Sequence, residues 1–168
     1  IFLDWLLPLF RNPYFWAPLY LFTVAFVLIN FRLKGSIWIA FFLLTFAGTD
    51  MISASVIKPW VGRVRPCADP YLADSVRQMV RCGGLFSFVS SHAANHFGMA
   101  MFTFKTFTFI PASWRWLLFA WAFVISYAQV YVGVHFPLDI ICGGLLGCIV
   151  GVGTAWIFNR KAGLPTLA

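Results

Sequence analysis

The sequence predicts an all-α, integral-membrane helical bundle of five transmembrane spans, with an interfacial helix at the N-terminus. Three observations carry that reading. Hydrophobic residues make up 61% of the 168-residue chain and charged residues only 10%. Mean hydropathy is +0.85, and a water-soluble domain of this composition would expose far too much apolar surface. The apolar residues also fall in runs long enough, or nearly so, to cross roughly 30 Å of hydrocarbon at about 1.5 Å per residue. The length allows one compact domain, residues 1–168, with a polar outer loop over 58–91.

The elements follow in chain order. The first ten residues are apolar but too short to span, and Asp4 and Pro8 interrupt them, so an interfacial helix is expected. Phe15–Phe31 is a short span closed by Arg32 and Lys34, with a loop at Arg32–Gly35. Ser36–Ile57 is the second span, ended by Lys58. Ser91–Ile110 is the third, where Lys105 lies near one end and can snorkel to the interface. A turn at Pro111–Ser113 leads to the fourth span, Trp114–Val134, and Leu138–Phe158 is the fifth. The chain begins at Ile1 rather than Met, which is consistent with trimming, a missing earlier part or a removed signal peptide. There is no internal repeat and no low-complexity segment.

Alternation of the spans sorts the cations into two faces. Arg32, Lys34, Lys105, Arg115, Arg160 and Lys161 fall on one; Arg11, Lys58, Arg63, Arg65, Arg77 and Arg81 fall on the other. The positive-inside count is therefore tied. The first group sits at helix ends with no acid beside it, as topology determinants do. Most of the second crowds one loop, as binding residues do, so residues 58–90 are placed outside the cytoplasm. A net charge of +7 split between two faces, with no basic, aromatic-interleaved strand, argues against nucleic acid and for an anionic lipid headgroup. Cys67 and Cys82 share the outer loop, where they either close a disulfide or stay free thiols. Cys142 and Cys148 read as buried small hydrophobes, and no cysteine spacing gives a zinc signature.

Three short stretches carry the chemistry. In Lys58-Pro-Trp-Val-Gly-Arg63-Val-Arg65-Pro66, two prolines stiffen a segment with three cations that repel one another unless an anion joins them. Arginine grips phosphate oxygens with a planar fork, and lysine acts as a point charge. The alternative is a set of cations meeting lipid headgroups. Asp50, inside the second span, either supports a site cation from behind or hydrogen-bonds a neighbouring helix. In Ser90-Ser91-His92, the serines fit a helix N-cap whose free N–H groups suit an anion. His92, Asn95 and His96 follow on one face, as a catalytic group or as packing polar residues. In His135-Phe-Pro-Leu-Asp139, Asp139 in a first helical turn can fix the His135 tautomer and free its other nitrogen, or can serve only as a cap. Ser126 and Gln129 point from the preceding span toward the same mouth.

The ordered set resembles the type 2 phosphatidic acid phosphatase superfamily, whose pattern is K-x6-R-P, then P-S-G-H, then S-R-x5-H-x3-D. Lys58, Arg65 and Pro66 match the first element fully. Val89-Ser90-Ser91-His92 keeps Ser and His of the second but lacks Pro and Gly. The third keeps His135 and Asp139, with Ala128-Gln129 where Ser-Arg would stand. The resemblance implies a single membrane-embedded phosphatase domain that needs no metal and no cofactor. His135 would attack phosphorus, Asp139 would orient it, and His92 would protonate the leaving oxygen and then activate water. Lys58, Arg65, Ser90 and the backbone at Ser91 would hold the phosphate, with Gln129 in place of a cation. Arg63 is the candidate for the missing charge, and Ser91 adds a side chain where glycine lets the backbone approach.

The implied function is hydrolysis of a lipid phosphomonoester or diphosphate in a bacterial inner or plasma membrane, with the site on the periplasmic or extracellular side. An outward site favours undecaprenyl diphosphate; phosphatidylglycerophosphate, phosphatidic acid and a lipid A phosphate follow. The competing classes are a non-catalytic phospholipid-binding protein, which Gln129 favours, and a lipid phosphotransferase using the same His135. A haloperoxidase shares the pocket pattern, but such enzymes are soluble.

Overall fold

A computed structural model of the protein describes residues 2–165. The fold is all-α. Helix α1 (Phe2–Phe10) leads through a 3-10 turn at Pro13–Trp16 into α2 (Ala17–Asp50). A π-helical stretch, Met51–Ile57, continues α2 into α3 (Lys58–Val61). After the loop come α4 (Ser91–Thr106), the short α5 (Ala112–Arg115), α6 (Leu117–Tyr131) and α7 (Pro137–Lys161). The stretches Pro13–Val61 and Pro137–Lys161 are long and apolar enough to cross a membrane.

The loop expected at Arg32–Gly35 is instead a break at one residue: Arg32 has φ 49° and ψ −120°. The chain doubles back there. Tyr20 and Thr23 share a cavity wall with Trp38 and Phe42, and a Cβ on Gly35 would run into the Val27 carbonyl. Residues 17–31 and 33–50 are thus separate helical segments, and with α4, α6 and α7 they make five long ones. Val27, Phe31, Trp38, Phe102 and Phe158 form the buried core at the end of the bundle away from the loop.

The helix boundaries also differ from the sequence reading. Lys58 does not end its helix, which runs to Val61 and stops where Gly62 takes φ 65°. Helix α4 ends at Thr106 rather than Ile110, and α6 covers 117–131 within the expected 114–134. Exposed Leu21, Phe22, Ile29, Leu145 and Ile149 give the outside an apolar coat, as a lipid solvent requires.

Helices α4 and α7 meet backbone to backbone. A Cβ on Gly143 would lie 2.6 Å from the Ser90 carbonyl oxygen, and one on Gly151 2.5 Å from that of Gly98. On Gly147 it would strike the Ala94 carbonyl. Small residues at four-residue spacing allow this approach, where dispersion rather than the hydrophobic effect holds helices together. The consequence is local to the site: the Ser90 N–H donates to the Asp139 carbonyl at 3.0 Å, joining the starts of α4 and α7.

The 62–90 loop is pinned back on itself. Val64 and Phe86 form an antiparallel bridge, Arg65 N–H donates to the Leu85 carbonyl at 3.2 Å, and Ser87 N–H to the Arg63 carbonyl at 2.8 Å. Beyond the bridge, Cys67 and Cys82 are joined by a disulfide.

Candidate active site

The loop, the starts of α4 and α7, and the ends of α3 and α6 converge on one mouth. At its floor lies His135, which is 3% exposed. Its Nδ1 lies 3.4 Å from Asp139 Oδ2, and its Nε2 lies 3.3 Å from Arg65 Nη1. A guanidinium can only donate, so Nε2 is the acceptor and the proton sits on Nδ1, facing the carboxylate. The Nε2 lone pair therefore faces the cationic side of the mouth. Burial pushes His135 below its ordinary value, the bond to Asp139 works the other way, and Arg65 adds to the depression. The neutral imidazole is the resting form.

Asp139 is fully buried and satisfied on both oxygens. Its Oδ2 also accepts from the Phe136 N–H at 2.8 Å, closing the first turn of α7 after Pro137 at the start. Its Oδ1 accepts from Arg63 Nη1 at 3.1 Å. The Arg63 guanidinium lies 3.9 Å from the Phe136 ring centre, which fixes it in that pose. Arg63 therefore braces the carboxylate in this structure, which leaves the charge missing at Gln129 unaccounted for by it.

Arg65 also donates to the Val134 carbonyl at 3.2 Å. Lys58 Nζ donates to Ser91 Oγ at 2.5 Å, and Ser53 Oγ donates to the same oxygen at 2.9 Å. The hydroxyl that stands in place of glycine thus has a structural use: it holds the lysine. Ser90 is the α4 N-cap, its Oγ accepting from the Ala93 N–H at 3.4 Å. His92 lies on the first turn, half-buried, with its ring stacked at 6.4 Å from that of His96. His96 Nδ1 is 2.7 Å from the His92 carbonyl, and its Nε2 is 3.4 Å from the Tyr20 hydroxyl.

The Asp50 Oδ1 accepts from Asn95 Nδ2 at 3.0 Å, and Asn95 Oδ1 accepts from Thr49 at 2.8 Å. Asp50 thus bonds a neighbouring helix, and its charge also acts on Lys58, two turns on. Ser126 donates to the Ala122 carbonyl within its own helix. Gln129 is 1% exposed, and neither of its amide atoms has a partner among the described residues. Its backbone carbonyl accepts from the N–H groups of Val134 and His135. Among the described residues no group of three or more His, Cys, Asp or Glu side chains is placed to hold a metal ion.

Residues 36–162 match the model of the PAP2 superfamily. The chain belongs to the PAP2 superfamily. Membership makes it a membrane lipid phosphatase of a metal-independent kind. It is 34% identical over 163 residues to a lipid A 4'-phosphatase of Bacteroides thetaiotaomicron, covering 94% of this chain and 68% of that protein. A lipid A 4'-phosphatase of Porphyromonas gingivalis is 35% identical over 103 residues, 61% of this chain and 43% of that one. The fold matches the crystal structure of a transmembrane PAP2-type phosphatidylglycerolphosphate phosphatase from Bacillus subtilis, with TM-score 0.69 and 22% identity over 95% of this chain and 78% of that chain.

Sequence reasoning missed Ser53, the bracing role of Arg63 and the place of α1. The signal for the close approach of α4 and α7 is the four-residue spacing of Gly143, Gly147 and Gly151.

Proposed function

We propose that this PAP2 protein hydrolyses a lipid phosphomonoester through a phosphohistidine, as a single domain of five membrane spans with α1 lying at the interface. The observation that carries the reading is His135, neutral, with its proton held by Asp139 and its Nε2 lone pair facing Arg65. In the first step Nε2 attacks phosphorus while the P–O bond to the lipid breaks, and His92 gives the leaving oxygen a proton. In the second step His92 takes a proton from water, the water oxygen attacks phosphorus, and the P–N bond breaks. Lys58 and Arg65, with Ser90 and the N–H groups at the start of α4, bind the transferring oxygens and stabilise their charge.

A lipid A-type glycolipid phosphate is the favoured substrate, because the similarity to a lipid A 4'-phosphatase runs over 94% of the chain. The Cys67–Cys82 bridge supports a loop facing the periplasmic or extracellular side of a bacterial inner or plasma membrane, since such bonds persist in oxidising compartments. An outward site also keeps undecaprenyl diphosphate as a second reading.

The test is phosphate release, without added metal, from detergent-solubilised lipid A phosphate, undecaprenyl diphosphate, phosphatidylglycerophosphate and phosphatidic acid, with His135→Ala alongside. Release lost in the variant supports the mechanism, and the ranking identifies the lipid. Comparable release by the variant would sink it. Transfer of phosphate to a second lipid in place of release would instead mark a phosphotransferase.

A further inference from the structure

Three of the cations around the mouth are engaged: Arg63 by Asp139, Lys58 by Ser91, and Arg65 by Val134 and His135. Arg11 is not. It is half-buried, yet its side chain makes no hydrogen bond or ion pair among the described residues. A guanidinium carries five N–H donors, and withdrawing them from water without an acceptor is unfavourable. Burial holds Arg11 below its ordinary value for that reason.

Its position is fixed from both sides. Ahead of it, Asp4 accepts from the Tyr131 hydroxyl at 2.7 Å and from both terminal nitrogens of Arg77 at 3.0 and 2.8 Å. Tyr131 lies two residues past Gln129, and Leu7 is buried between the two anchors. Behind it, Trp16 Nε1 donates to the Phe10 carbonyl at 2.7 Å, and its ring meets Trp121 edge-on at 5.9 Å. Trp121 in turn meets His96 edge-on at 5.0 Å, one helical turn from His92. Residue 11 is thereby held between the end of α6 and the catalytic end of α4. Its charge acts on Arg65 and reaches His92.

We propose that Arg11 binds the substrate's phosphate group, bringing from the N-terminal helix the cation that is absent at Gln129. The inference rests on the phosphatase reading. Two like charges repel, and a phosphate set between Arg11 and Arg65 converts that repulsion into two attractions. The neutral amide at 129 fits the same scheme: a further arginine there would crowd a fourth guanidinium into the mouth, beside Arg63, Arg65 and Arg11. The N-terminal helix is then part of the binding site as well as a membrane contact.

The test compares wild type with Arg11→Gln, Arg11→Lys and the double variant Arg11→Gln/Gln129→Arg in full-length protein. Arg11→Gln should lower kcat/KM by about a hundredfold, the scale for losing one charged transition-state contact. Lysine should recover part of that, since it keeps charge but loses the fork. A double variant at least about tenfold above Arg11→Gln alone would show that one charge can replace the other, which a merely structural role does not predict. If Arg11→Gln turns over within about twofold of wild type, the inference is wrong and the phosphatase reading stands. Calorimetric titration with orthovanadate gives an answer independent of turnover. Weaker binding to Arg11→Gln at unchanged thermal stability supports the contact, and equal binding overturns it, even if wild type hydrolyses none of the lipids.

Discussion

Replacing Asp139 by Asn removes one charge from a fully buried group and forces a choice among its three partners. If the amide oxygen keeps the Phe136 N–H and the His135 Nδ1–H, the amide nitrogen is turned toward Arg63, donor against donor. If the amide flips, its nitrogen faces Nδ1. The imidazole proton must then move to Nε2, which faces the Arg65 donor and loses its lone pair. The stability term is modest. The Arg63 side chain is 35% exposed, so water takes up part of the lost bond and about 1–2 kcal/mol is expected. The activity term is larger: a wrong tautomer and a less basic imidazole should lower kcat by about 10²–10⁴-fold, or roughly 3–5 kcal/mol of barrier. The pH profile gives an independent readout. Neutral His135 is the nucleophile and is present above its folded pKa, which burial has pushed below about 6.5. The Asp139 bond opposes that depression, so its loss lowers the pKa further and moves the acidic limb of kcat/KM to lower pH. The assay is phosphate release from about pH 4 to pH 8, with thermal unfolding in the same detergent. Turnover within about threefold of wild type, or an acidic limb displaced upward, would refute the assignment of Asp139 as the group that orients His135.

Other substitutions separate bracing, packing and loop restraint. Arg63→Ala should lower kcat about tenfold with little change in KM, because the residue acts through Asp139; a KM effect alone would make it a phosphate ligand instead. Gly147→Leu forces a side chain onto the Ala94 carbonyl, so an overpacking loss of about 1–3 kcal/mol is expected, seen as a lower unfolding temperature. It should also reduce turnover, since the Ser90–Asp139 contact depends on that approach; unchanged activity would show the two helix ends are held in some other way. Cys67→Ser/Cys82→Ser opens a link between residues 15 apart in sequence, worth about 3 kcal/mol in the chain-entropy model. The loop should then become the first site of protease cleavage, a change that limited proteolysis reads directly.

The parts of the site legible in the sequence are those whose geometry is set by local rules. Ser90 before an apolar helix is an N-cap wherever that helix goes, and Asp139 two residues after Pro137 falls in the first turn by spacing alone. His135 follows from Asp139, four residues away. The hairpin between the first two long segments was legible as well, but its form was not. A polar run of Arg32 to Gly35 reads as a loop, whereas a left-handed residue at Arg32 and a glycine against Val27 turn the chain without one. What pattern could not reach is the choice among cations. Lys58, Arg63, Arg65 and Arg11 are equivalent in composition, and their roles are decided by partners far away in sequence. Arg63 meets a carboxylate 76 residues on, and Arg65 a carbonyl 69 residues on. Arg11 is placed by a clamp on Asp4 that reaches residue 131. The sequence offers Arg63 as the candidate for the charge missing at Gln129. The loop bridge at Val64 and Phe86 presents Arg63 to Asp139 instead, and the proposed replacement is Arg11, the mouth cation whose side chain has no partner among the described residues.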